Sequence, residues 1–356
     1  MGEQLALKML RRRVLIVVAF VLGVAVVAIS PLKAAERNSF SVVPLVSDQP
    51  GVAPVTDPDL VNAWGLTSGP MTPWWVSDNG TSLSTLYRGL DGAKQGLVVQ
   101  VGGGPTGTVF NPTAGFVLPT GGPALFLFDS EDGKVRAWNR AQGTIAIVVV
   151  DRSGEDAKFK GLAIAATSAG PRLYAADFHN AKVDVFDGSF APVLGGFVDP
   201  ALPSGYAPFG IQTIANRVFV TYAKQDADAE DEIAGQGKGF VDAYDTAGNL
   251  LGRVAQHGQL NAPWGLAHAP DSFGRFAGDL LVGNFGDGQI NAYAEHNGHF
   301  THVGELRDES GKSLTIDGLW ALEVGQGGNN GPAGTLFFTA GPDDESHGLF
   351  GQIAAS

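Results

Sequence analysis

From Phe40 onward, apolar residues come in short runs of four to six, often alternating with polar ones, and each run stops at a turn rich in Gly, Asp or Asn. A period of two places one face of a strand in a core, and runs this short bounded by turn residues are strands rather than helices. The runs also recur as a set. A step with a central glycine followed by an apolar residue stands at Trp64-Gly65-Leu66, Ala114-Gly115-Phe116, Lys160-Gly161-Leu162, Phe209-Gly210-Ile211, Trp264-Gly265-Leu266 and Asp317-Gly318-Leu319, its glycines 50, 46, 49, 55 and 53 residues apart. After each step comes a second run ending in a turn, as at 75–78, 126–129, 174–177, 219–222, 281–284 and 337–340. A third run, alternating and carrying an aromatic near its end, occupies 135–138, 183–186, 241–244 and 290–293, and a fourth is clearest at 97–101, 146–150 and 196–198. Four strands per unit of about 50 residues predict an all-β chain folded as a six-bladed β-propeller with four-stranded blades. A five- or seven-bladed ring would follow only from a misread unit.

The sixth unit has too few residues after Leu349-Phe350-Gly351-Gln352-Ile353 to build its own outer strand. The strand-like stretch Phe40 to Val46 lies unused ahead of the first unit, so this N-terminal strand is expected to pair into the last blade and close the ring. Pro44, which lacks an N–H donor, suits the edge position of an outermost strand.

Several of these units resemble known repeats. Gly161-Leu162-Ala163-Ile164 followed by Leu173 to Asp187 resembles NHL-type repeats. Asn62-Ala63-Trp64-Gly65-Leu66, Ala262-Pro263-Trp264-Gly265-Leu266, Val282 to Gly288, Asp317-Gly318-Leu319-Trp320 and Phe338 to Glu345 are similar to an uncharacterised family of exported bacterial β-propellers, over essentially residues 40–356. Many members of that family carry a PEP-type C-terminal sorting tail. This chain ends at Ile353-Ala354-Ala355-Ser356 without one, so attachment is expected to fall to the N-terminus. The resemblance implies a fold and an address and brings no established activity.

Lys8, Arg11, Arg12 and Arg13 precede sixteen positions, Val14 to Ile29, with nothing more polar than Gly23. That is the pattern of a signal peptide or a membrane anchor. Sixteen residues fall between a signal core and the ~20 that span a bilayer comfortably, so cleavage and retention both stay open. The chain thus divides into a basic cytoplasmic segment 1–13, a signal peptide or transmembrane helix at 14–29, a linker at 30–39 and the propeller at 40–356. The propeller is expected to be extracytoplasmic, in a periplasm or at a cell surface, touching membrane through 14–29 only.

Composition then narrows the partners. Residues 36–356 hold 18 Lys and Arg against 35 Asp and Glu, a balance that repels nucleic acid and anionic bilayers and is compatible with cations, neutral sugars or basic peptides, so that a small molecule, a glycan or a peptide is the expected partner. The absence of cysteine removes disulfides, Cys-based zinc sites and thiol catalysis.

In an antiparallel blade the start of the first strand and the end of the second lie at one mouth of the central channel. Two sets of polar and aromatic residues are therefore expected to converge there: Asn62, Trp64, Asn111, Lys160, Phe209, Asn261, Trp264 and Asp317 from the first strands, and Asp78, Asn79, Asp129, Asp177, His179, Lys224, Asp226, Asn284, Asp287, Asp343 and Asp344 from the second. Trp264, Asp177, His179, Asn284 and Asp343 are the candidate ligand-binding residues. Asp226, Asp177 and Asn284 are candidate oxygen ligands for Ca²⁺. Asp, Asn and Gly are also what tight turns require, with or without a ligand. The insertion Ala223 to Gly239 carries five acidic residues and is expected to reach over this mouth. Counted from Asp226 it fails the EF-hand pattern, with Asp231 at the sixth position and Gly237 at the twelfth. Gly102-x-Gly104-x-x-Gly107 lacks a following helix, no Gly-x-Ser-x-Gly or His-Glu-x-x-His occurs, and His296, His299 and His302 flank a turn away from the channel. Two functions remain: a binding module without catalysis, or a Ca²⁺-dependent hydrolase resembling propeller lactonases.

Overall fold

The computed structural model describes residues 38–355. The basic segment, the apolar run at 14–29 and most of the linker lie outside the described residues. Among the described residues no helix is long and apolar enough to cross a membrane.

Six antiparallel sheets form the blades of a β-propeller. Their inner strands are Ala63–Thr67, Pro105–Phe110, Phe159–Thr167, Tyr206–Ile214, Pro263–His268 and Leu319–Val324, and their second strands Trp74–Asp78, Phe126–Ser130, Gly170–Asp177, Arg217–Lys224, Leu280–Asn284 and Leu336–Ala340. Each inner strand packs on those of the neighbouring blades, and Leu319–Val324 against Ala63–Thr67 completes the circle. The sixth blade takes its outer strand from Phe40–Ser47, antiparallel to Leu349–Ala355 and bulged between Pro44 and Val46. The N-terminal closure expected from the sequence is thus present, with the proline at an irregular edge where no donor is missed. The two-residue strand Val55–Thr56 adds to it in parallel.

All six inner strands break register at the same place, between Ala63 and Leu66, Pro105 and Thr108, Phe159 and Leu162, Pro208 and Ile211, Pro263 and Leu266, and Leu319 and Leu322. A bulge of this kind bends a strand and re-aims a side chain. The bulged pairs are Trp64-Gly65, Thr106-Gly107, Lys160-Gly161, Phe209-Gly210, Trp264-Gly265 and Trp320-Ala321. Two units of the sequence repeat were therefore misaligned: in blade 2 the glycine step is Gly107, not Gly115, and in blade 6 its place is taken by Ala321, not Gly318. Ala114-Gly115-Phe116 belongs to the loop after the blade 2 inner strand, where Asn111 Nδ2 donates to the carbonyls of Gly115 and Ala124. Asn111 accordingly lies at the end of the inner strand, not at the mouth where the sequence placed it. The run at 196–198 is not a strand either. Gly195 and Gly196 take φ of 86° and 89°, and the outer strand of blade 3 is the short Pro192–Val193.

The recurring glycine has a physical reason. A Cβ on Gly65 would lie 2.3 Å from the Thr106 carbonyl oxygen of the next blade, and one on Gly210 only 2.1 Å from that of Trp264. Backbone meets backbone at each of these joints. Between the blades the core is filled by large side chains, as where Trp74, Tyr87, Phe337 and Phe350 pack between blades 1 and 6 with Leu45 and Val46.

Candidate functional site

The bulge residues Trp64, Lys160, Phe209, Trp264 and Trp320 meet in one layer, three tryptophans with a phenylalanine and a lysine. Trp64 and Trp320 stack with centroids 3.6 Å apart, Phe285 stacks on the other side of Trp320 at 4.0 Å, and Trp264 and Phe209 stand edge-on to Trp320. Trp264 Nε1 donates to the Lys160 carbonyl at 2.7 Å. The result is an aromatic plug at the mouth formed by the inner-strand starts. Trp264, a candidate ligand platform, is part of that plug.

Lys160 brings the only charge of the five into this layer, and its side chain is 2 % exposed. Its ammonium lies over the Trp64 ring and donates to Glu131 Oε1 at 2.6 Å and Asp231 Oδ1 at 3.0 Å. Burial alone would lower its pKa, but the surrounding carboxylates Glu131, Asp231 and Glu232 outweigh it and hold the group above the usual lysine value. The network continues through Asn79 Nδ2 to Glu131 Oε2, Asn62 Nδ2 to Asn79 Oδ1 and Glu345 Oε2, and Trp320 Nε1 to Asn62 Oδ1. Loops of blades 1, 2, 4 and 6 are tied to one ammonium. The insertion does reach the axis, through Asp231. Burial pushes Glu232 up to about 7, against the pull of Lys160, and raises Glu345.

The other candidates at this mouth sit in separate turns. Asp177 is fully buried and accepts from Asn180 and from the Lys158 N–H; burial raises its pKa. His179 follows in the same turn, with a buried Nδ1 that has no partner. Asp226 accepts from the Glu230 N–H within the insertion. Asn284 donates to the Gln259 carbonyl and to Asp287. Asp343 is exposed at φ 62°, its N–H donating to Asp317. No hydrogen bond or ion pair joins Asp177, Asp226 and Asn284, and among the described residues no three His, Asp or Glu side chains group as a metal site. The carboxylates nearest the axis, Glu131 and Asp231, hold Lys160.

At the opposite mouth the channel is open. The residues after the bulge, Leu66, Thr108, Leu162, Ile211, Leu266 and Leu322, close its floor. At the next position of each strand, Thr67, Val109, Ala163, Gln212 and Glu323 line the channel space, and Ala267 lies with Gln212 and Glu323 in the wall of the adjoining cavity. Ala267, between Gln212 and Glu323, is too small to separate them. Gln212 Nε2 donates to Glu323 Oε1 at 2.6 Å across it, directly under a cavity of about 740 Å³ whose wall includes Thr213, Ile214, His268, Asp271, Val324 and Gln326. Glu323 is enclosed by protein yet still reached from the cavity. Burial pushes its pKa up to about 7, opposed by the Gln212 hydrogen bond and the Val324 N–H, and no charged side chain acts on it. Thr213 Oγ1 is buried nearby without a partner. Neither Gln212 nor Glu323 was among the residues singled out from the sequence. The available signal was a polar residue two places after the bulge in an otherwise apolar strand.

No family model matches the chain. It is 34% identical over 326 residues to an uncharacterised protein of Acanthamoeba polyphaga mimivirus, covering 87% of this chain and 78% of that one. A second uncharacterised mimivirus protein is 32% identical over 330 residues, covering 87% of this chain and 84% of its own length. These relatives are viral, so the bacterial source implied by the sequence resemblance is not supported. Among solved structures, the soluble aldose sugar dehydrogenase of Escherichia coli superposes with a TM-score of 0.55 over 89% of this chain and 100% of that one, at 14% identity. The likeness is one of fold.

Proposed function

The chain belongs to the family of these uncharacterised mimivirus proteins, and on that footing we propose that it is a ligand-binding propeller whose small-molecule occupant enters the channel at the mouth walled by blades 4, 5 and 6. The observation that carries this reading is the Gln212–Glu323 pair under the cavity. A volume of about 740 Å³ falls in the ~300–1,000 Å³ range of small-molecule sites, and convergent polar groups beside apolar side chains are the usual means of orienting a ligand. The plugged mouth has the opposite character, because aromatic rings fill its axis and Glu131 and Asp231 are taken up by Lys160. The sequence expectation that ligand would bind beside Asp177 and Asn284 is thereby set against a mouth with more room. We further propose that the propeller works outside the cytoplasm, on the strength of the basic residues followed by the apolar run Val14 to Ile29.

The test is a thermal-shift screen of small polar molecules on the full chain, with each hit repeated in two sets of variants. Gln326→Trp fills the cavity from its exposed wall and is expected to abolish binding while leaving the melting temperature of the free protein unchanged. A ligand that still binds Gln326→Trp but is lost in Asp177→Ala or Asn284→Ala would move the site to the plugged mouth and overturn the reading.

A further inference from the structure

Glu323 stands apart from the protein's other enclosed carboxylates. Asp57 is held by Lys94 at 2.8 Å, Asp132 by Arg136 at 2.6 Å, Glu131 by Lys160 at 2.6 Å and Asp184 by Lys182 at 3.0 Å. Asp78 and Asp129 lack a cation but are sealed in the core at 0 % exposure. Glu232 and Glu345 also lack a direct ion pair, but both feel the Lys160 ammonium at the plugged mouth, whereas Glu323 has no cation near it and faces a cavity. Its partner is a neutral amide, and the walls of the cavity and of the channel beneath it include no Lys or Arg. The titratable groups that share the wall are His268 from the blade 5 inner strand and Asp271 from the loop after it, while blade 4 contributes only Gln212, Thr213 and Ile214.

Resting on the site reading above, we propose that the occupant is an organic cation, a protonated primary or secondary amine, whose ammonium pairs with the Glu323 carboxylate and whose hydrocarbon part lies against Ile214, Leu266 and Val324. An ammonium has N–H donors for the Glu323 carboxylate, which an ionised carboxylate or phosphate ligand lacks. An anion would also meet Asp271 and Glu323 with no compensating charge in the wall. The acidic excess over residues 36–356 adds a long-range field of the same sign. Ligand binding supplies the charge that burial denies the carboxylate, so uptake of the amine releases the proton held by Glu323. With the free carboxyl near 7, its ionised fraction climbs from about one tenth at pH 6 to about nine tenths at pH 8, and amine affinity is expected to rise about tenfold over that interval.

Calorimetric titration of the full chain with methylammonium, butylammonium, tetramethylammonium and putrescine, each beside 1,4-butanediol as an uncharged control, tests the proposal. The expected result is saturable binding of at least one primary amine, about tenfold tighter at pH 8 than at pH 6, at least tenfold weaker in Glu323→Gln, and with the same pH dependence in His268→Gln. Binding of none of the four cations overturns it. Equal binding of diol and diamine, lost in Gln326→Trp but indifferent to Glu323→Gln, overturns the cation and leaves the site reading intact. Amine binding unaffected by both Gln326→Trp and Glu323→Gln removes both.

Discussion

Replacing Gly210 by alanine tests how the ring is held together. A Cβ there would lie 2.1 Å from the Trp264 oxygen, 2.8 Å from its carbonyl carbon and 2.9 Å from its Cα, all backbone atoms of the neighbouring blade. No rotamer change can relieve such a contact. The strand cannot retreat easily either, since the Gly210 N–H donates to Thr221 Oγ1 at 2.8 Å and the Gly210 carbonyl accepts from the same hydroxyl at 3.3 Å. Ordinary non-bonded separation requires the inner strands of blades 4 and 5 to part by more than about 1 Å. Overpacking of this sort costs about 1–3 kcal/mol, and a clash confined to backbone belongs at the upper end. Restricting the unfolded chain returns about 0.4–1 kcal/mol, which leaves a net loss of roughly 2–3 kcal/mol. Gly154 is the control, having no positive φ and nothing within 4 Å of an added Cβ. Urea unfolding of the full chain should show Gly210→Ala shifted to a lower midpoint by that amount at unchanged m, and Gly154→Ala as stable as the parent or up to about 1 kcal/mol more stable. A Gly210→Ala protein as stable as the Gly154→Ala protein would refute close backbone packing between blades.

Lys160→Met should cost roughly 2–4 kcal/mol, below the loss for a fully buried pair because Asp231 remains 72 % exposed, and the loss should shrink on acidification as Glu232, pushed up to about 7 by burial, takes up its proton; unfolding at pH 5 and pH 8 reads both. Glu323 binds its proton more tightly folded than unfolded, so its contribution is present below the unfolded value near 4.5 and is lost as pH rises through about 7. Parent protein should therefore lose on the order of 2–3 kcal/mol more than Glu323→Gln between pH 4.5 and pH 8, and parallel stability curves would contradict the raised pKa. A reporter that fluoresces only in the cytoplasm, fused after Ser356, should stay dark, whereas bright cells would refute export.

The blades were legible because strand periodicity and turn residues act locally, and Pro44 with a shortfall after Ile353 pointed to the closing strand. The joints were less so. In blade 2 the bulge residue is Thr106 where other blades have Trp, Lys or Phe, and in blade 6 alanine stands where five blades have glycine, so nearby Gly115 and Gly318 imitated the repeat. That slip of register hid Glu323, whose significance depends on lying level with Gln212. Their meeting further depends on the small Ala267 between them, a packing relation between three blades that no local pattern carries. The polar residues that were legible, Asp177, Asp226, Asn284 and Asp343, are conspicuous because they build turns, and the structure finds each so employed.

Glu323 is where the account is most exposed to test. In the full chain labelled with ¹³C at glutamate carboxyls, the resonance absent from Glu323→Gln should titrate near 7 in the free protein and move toward the ordinary glutamate range when a saturating primary amine is present. A resonance titrating near 4.5 in the free protein and indifferent to amines would contradict both the enclosed, cation-free carboxyl and the binding site built on it.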